Sequence, residues 1–98
     1  MRLQNYKDDL NQRLRDPEYA AEYLAQVLAG KDHAAFLIAL KDVVEAGSGM
    51  GNLARRVGLK RPSLYKILSR NGNPTLETLQ EILKPLGLRV SIALDKAA

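Results

Sequence analysis

The chain has 98 residues, a net charge of +4 and no cysteine. That length holds one domain, or one domain with an arm, and a chain so short gains from dimerisation. Without cysteine there are no disulfides, no thiolate metal sites and no thiol catalysis. No apolar run approaches the ~18 residues of a membrane-spanning helix. MRLQNYKDDL lacks the apolar centre of a secretory signal, so a cytoplasmic protein that stays off membranes is expected.

The charge is unevenly placed. Residues 1–45 hold six Lys/Arg against eight Asp/Glu, and residues 77–98 hold three of each. Residues 46–76 hold six basic residues and no acid at all. A charge run is usually a solvated face; its meaning here depends on the element that carries it.

Residues 1–15 are weakly patterned. Tyr6, Leu10 and Leu14 stand four apart, which suits one face of a short helix. The rest of the segment is polar, which equally suits an arm that orders against a partner. Asp16-Pro17-Glu18 then starts a helix: an N-cap, a proline in the first turn and an acid at the positive end of the dipole. Ala20, Tyr23, Leu24, Val27 and Leu28 form its apolar face, and Gly30 ends it. Asp32 caps the next helix, with Phe36, Leu37, Leu40, Val43 and Val44 facing inward. The lone His33 lies in its first turn and has no second ligand at metal spacing, so a solvated surface role is expected.

Ala46-Gly47-Ser48-Gly49 breaks the chain before residues 50–69, MGNLARRVGLKRPSLYKILS. Leu53, Ala54 and Val57 give a first short helix one apolar edge, and Gly58 stops it. Leu59 plugs the corner. Leu64, Ile67 and Leu68 make the inward face of a second helix, placed at about 61–69. Ala54 is small where the helices should cross. A small residue, a glycine four later, then apolar residues ten and thirteen after the small one match DNA-binding helix-turn-helix spacing.

On this reading the second helix lies in the major groove. Arg61 is the best candidate for a bidentate contact to guanine O6 and N7. Ser63 and Tyr65 are short-range donors or thymine-methyl contacts, unless the Tyr65 ring packs on the neighbouring helix. Lys66 reaches a base or a phosphate. Arg55, Arg56, Lys60 and Arg70 read as phosphate clamps, which add affinity and salt sensitivity with little sequence choice. Arg55 and Arg56 are adjacent, hence about 100° apart on a helix, so one of them alone can face the DNA squarely. Asn71 and Asn73 add backbone contacts from the following loop, and Pro62 serves as a helix-start residue.

Asn71-Gly72-Asn73-Pro74 is a turn, and Thr75 caps a last helix with Glu77 in its first turn. Leu76, Leu79, Ile82, Leu83 and Leu86 are expected to face inward. Pro85 removes the amide that would bond the carbonyl of Glu81, so the helix should kink or end near Leu83. Leu88, Val90, Ile92 and Leu94 then alternate with Arg89, Ser91 and Ala93, which predicts a strand over 88–94. A single strand cannot satisfy its own backbone. Pairing with a second copy across a two-fold axis is the favoured solution, giving a homodimer joined through this strand.

Several runs carry a family resemblance: Asp16–Leu24, Ala35–Val43, the Gly58-Leu59 and Ser63-Leu64-Tyr65-Lys66 core, Gly72-Asn73-Pro74 and Leu86–Arg89. Over residues 6–94 the chain resembles the addiction-module antidote proteins, the HigA-like antitoxins. Its central motif is similar to that of Cro/repressor-type (XRE) regulators. The resemblance implies a mainly α, Cro/repressor-like fold, here of five or six helices, with the DNA-binding domain spanning residues 16–94, and the alternation read above adds one C-terminal β-strand. It also implies a dimer that binds its own operator and neutralises a small, basic, RelE/HigB-like toxin. Met50 stands where such regulators often carry a phosphate-binding Gln, and Lys60 stands in place of the usual Ser or Thr cap; Asn52 could serve at the first.

Three functional classes compete. The first is a dimeric DNA-binding repressor with or without a toxin. The second is a protein-binding inhibitor with little DNA binding. The third, an enzyme, lacks support: no Cys, no partner for the lone His, no Gly-rich phosphate loop and no carboxylate pair beyond Asp8-Asp9 in the N-terminal segment. No cofactor is expected.

Overall fold

Local chemistry sets the helix boundaries. The computed structural model describes residues 3–97, with side chains from Tyr6 onward. It comprises α1 (Leu3–Leu14), α2 (Pro17–Ala29), α3 (His33–Ala46), α4 (Met50–Val57), α5 (Arg61–Ile67) and α6 (Leu76–Leu83), followed by a 3₁₀ turn, Lys84–Leu86. Asp16 caps α2 by accepting from the Glu18 amide at 3.1 Å, and Asp32 caps α3 by accepting from the Ala35 amide at 3.1 Å. Thr75 caps α6 by accepting from the Thr78 amide at 3.1 Å. Each side chain satisfies one of the donors that a helix start leaves unpaired. At Pro85 the helix does end: α6 stops at Leu83 and tightens into the 3₁₀ turn.

α3 is the central strut, packing against α1, α2 and α4; α4 in turn packs on α5 and α6. The core runs through all six helices, with Leu14, Leu40, Val44, Leu53, Leu64, Leu68 and Ile82 almost wholly removed from solvent. Among the described residues no polar side chain is buried. The first segment is thus a helix whose last residue, Leu14, enters the common core. Arg15 ties the same corner to α3 by donating from Nε to the Ala46 carbonyl at 2.9 Å, one of the acceptors that a helix end leaves free.

The C-terminal strand expected over 88–94 is not there, and the expectation that such a strand pairs across a dimer loses its basis. Among the described residues there is no strand. The Gly87 amide bonds the Lys84 carbonyl, and the Leu88 amide bonds the Leu83 carbonyl at 3.1 Å, which closes α6. Beyond Leu88 the chain runs without a ladder, and Ile92 and Leu94 are 97% and 87% exposed. Alternation records two faces, but a ladder needs a neighbouring strand, and no other described segment supplies one. The second motif helix is also shorter than 61–69, because Leu68 leaves helical geometry at φ −94°, ψ 51°. Leu28 and Leu76, expected to face inward, are 52% and 60% exposed.

Two details yield predictions. A Cβ built on Gly72 would stand 1.8 Å from the Ile67 carbonyl oxygen, so the turn after α5 closes only over a bare backbone. Gly72→Ala should therefore lower unfolding stability by about 1–3 kcal/mol in urea titration; an unchanged midpoint would show that the turn shifts freely. On α3, burial and then the negative charge of Glu45 hold the Asp42 carboxyl above its ordinary value of 3.8, against the opposing pull of Lys41. The folded protein thus binds this proton more tightly than the unfolded chain. Its contribution is complete below 3.8 and is lost as pH rises through the raised folded value. Asp42→Asn should be more stable than the parent at neutral pH, with the advantage shrinking on acidification, as read by thermal melts across pH.

Candidate nucleic-acid interface

The basic run of the sequence falls on α4, the three-residue turn Gly58–Lys60, α5 and the loop after it. Gly58 adopts φ 73°, a left-handed conformation open to glycine, and it lets the Leu59 amide reach back to the Ala54 carbonyl at 2.9 Å. α5 therefore departs from α4 at a defined corner. Leu53, Ala54, Leu64 and Leu68 are buried at this junction, leaving the polar sides of both helices outside.

All ten side chains singled out for DNA contact are exposed: Asn52, Arg55 and Arg56 on α4, Lys60 in the turn, Arg61, Ser63, Tyr65 and Lys66 on α5, and Arg70 and Asn71 beyond it. Asn73 is exposed as well. No acid occurs between residues 46 and 76, so these cations have no carboxylate neighbour in sequence. The ion pair that the described residues do form, Arg13 to Asp9 at 3.1 Å, lies on α1.

The structure separates the two adjacent arginines. Arg55 lines a shallow depression at the start of α4 together with Ser48, Asn52 and Arg61. Arg56 lines a different recess, beside Leu14, Pro17 and Pro85. Asn52 organises the first depression: its Nδ2 donates to the Ser48 carbonyl at 2.7 Å, and its Oδ1 accepts from Arg55 Nη2. On α5 the Arg61 guanidinium carbon stands 5.7 Å from the centroid of the Tyr65 ring. Tyr65, 37% exposed, thus meets Arg61 one turn back along its own helix. Ser69 donates to the Lys66 carbonyl at 2.7 Å, which finishes α5.

Two residues of this stretch acquire a structural meaning. Met50 is buried in the core, so its side chain is a packing group and not a surface contact. Lys60 occupies the N-cap of α5 without a side-chain hydrogen bond to it, leaving its charge at the surface.

A second surface was not legible from periodicity. A groove of about 260 Å³ lies between α2, α6 and the start of the C-terminal tail, floored by Leu24, Phe36, Leu79 and Leu83. Leu28, Leu76 and Val90 stand exposed along it, and the tail continues into Ile92 and Leu94. It shares no lining residue with the basic face. Apolar spacing puts Leu28 and Leu76 on the apolar faces of their helices, but spacing names a face without saying what lies opposite. Among the described residues no cluster of side chains is suited to hold a metal, and no helix is long and apolar enough to cross a membrane.

Comparison with known proteins gives the family. Residues 4–94 match the family described as "Probable addiction module antidote protein". A protein of Haemophilus influenzae described as "Uncharacterized protein" is 33% identical over 90 residues, covering 92% of each chain. No solved structure matches significantly. The match spans all six helices and the start of the tail; the chain belongs to the family of addiction module antidote proteins.

Proposed function

We propose that this antidote is a sequence-specific DNA-binding repressor, the antitoxin of a type II toxin–antitoxin pair, which binds its own operator as a homodimer. The observation that carries this reading is the outward display of six cations on α4, α5 and the flanking turns, with no acid among residues 46–76. Such a surface attracts phosphates and releases counterions on binding. α5 is slender enough for a major groove, and it presents Arg61, Ser63, Tyr65 and Lys66 together. Residues 50–69 are read as a Cro/repressor-type (XRE) helix-turn-helix within a DNA-binding domain spanning 16–94. Arg61 is the base reader. Arg55, Arg56, Lys60 and Arg70 serve the phosphates, and Asn71 adds a contact from the loop.

The family implies a toxin partner, and we take it to be a small basic protein of the RelE/HigB kind. The acidic balance of residues 1–45 suits such a partner electrostatically. In this reading the protein inhibits by binding and carries no catalytic group of its own, and its place is the cytoplasm, beside the DNA it represses.

Two outcomes are expected. In gel shifts on the protein's own promoter, Arg61→Ala should weaken binding by about 1–3 kcal/mol and relax base choice at one position. An equal loss on every sequence would make Arg61 a phosphate contact. Light scattering should give a dimer at micromolar concentration, and footprints should show half-sites about one helical turn, roughly 34–36 Å, apart. A monomer that protects a single half-site would overturn the two-fold reading.

A further inference from the structure

We propose that Tyr65 is a positioning residue: its ring face holds the Arg61 guanidinium in place, so that base selectivity depends on the ring and not on the hydroxyl. This inference rests on the operator reading above.

The argument starts from the cost of using a long side chain as a reader. A free arginine samples many rotamers, and fixing one on binding subtracts from affinity for the right sequence. The usual device for orienting a guanidinium is a carboxylate, but here it would cancel the charge and repel the phosphates. Residues 46–76 contain no carboxylate. What they place beside Arg61 is an aromatic ring, with the guanidinium carbon 5.7 Å from its centroid. Spacing brings the two together, since side chains four apart share a helix face and lean toward the N-terminus, so Tyr65 reaches back to Arg61. A ring attracts the cation through its face and leaves the charge intact. It also leaves the N–H donors at the guanidinium edge free, and those are the donors that a bidentate contact to guanine requires.

Arg55 makes the contrast. It is also held, but by donating to Asn52 Oδ1, which occupies one of its edge donors. Its charge, left whole by the neutral amide, suits a phosphate, whereas Arg61 keeps its full fork. The two arginines line the same depression, so one is arranged for position and the other for reading.

The test compares Tyr65→Phe, which keeps the ring, with Tyr65→Leu, which removes it while preserving an apolar side chain on α5. The DNA probes are a duplex selected by the parent protein from a randomised library and a scrambled duplex of equal length. The readout is the ratio of the two affinities at fixed salt. Tyr65→Leu should lower that ratio about two- to fivefold, the range expected for an exposed cation–ring contact. Tyr65→Phe, which keeps the ring, should retain most of the selectivity that Tyr65→Leu loses. The salt slope should be the same for all three, because no charge changes. Combined with Arg61→Ala, Tyr65→Leu should cause no additional loss of selectivity.

An unchanged ratio in Tyr65→Leu, an equal loss in Tyr65→Phe, or additive losses in the double variant would each overturn the proposal. A second readout needs no DNA. In proton NMR spectra the Arg61 side-chain resonances should show a ring-current shift in the parent and in Tyr65→Phe, and lose it in Tyr65→Leu. If the parent fails to prefer any duplex, the operator reading falls, while the NMR comparison still decides whether the ring holds the arginine. Thermal melts of each variant confirm that the fold is intact.

Discussion

A seven-residue helix does not persist on its own in water, because nucleation costs more than so few hydrogen bonds return. α5 has seven residues. It exists because Leu64 and Leu68 are withdrawn completely from solvent and because the Gly58 corner docks it on α4. α4, of eight residues, depends in turn on α3 and α6, against which it packs. The geometry of the exposed side of α5 is therefore inherited from the core. Whatever Arg61, Ser63 and Lys66 do at the surface, they do from a platform held by Leu53, Ala54, Leu64 and Leu68.

That platform has an electrostatic cost. Six cations within residues 46–76, without an acid among them, repel one another and do nothing for the isolated fold. Their arrangement softens the penalty: all six are exposed, and Arg55 and Arg56 diverge into separate recesses. α2 and α6, by contrast, carry Glu18, Glu22, Glu77 and Glu81 and no Lys or Arg. Charge is thus sorted by element, with the cations gathered on α4, α5 and their flanking turns and acids alone on α2 and α6.

An antidote has a toxin to answer, and the fold keeps its chemically distinct surfaces apart. The basic face on α4 and α5 shares no lining residue with the apolar groove of α2, α6 and the tail. Apolar side chains such as Leu76, Ile92 and Leu94 at the surface bring no stability to the lone chain, and exposed apolar clusters of this kind generally mark contact surfaces. The hydroxyl, guanidinium and ammonium groups of the basic face work by hydrogen bonding and charge, which an apolar groove cannot supply.

The amino-acid sequence by itself determined the helices, their caps and the corner. Asp16, Asp32 and Thr75 act on amides two or three residues away, Gly58 and Pro85 act on their own backbone, and the inward positions of α3 repeat at helical spacing. These are interactions within a few residues, so they can be read along the chain, as can the outward cations of α4 and α5. Only the tertiary structure decided that residues 88–94 form no strand, that Leu28 and Leu76 stay in solvent, and that Met50 is core. Each of those outcomes depends on which atoms stand opposite a side chain in space, and periodicity specifies a direction without specifying what is found there.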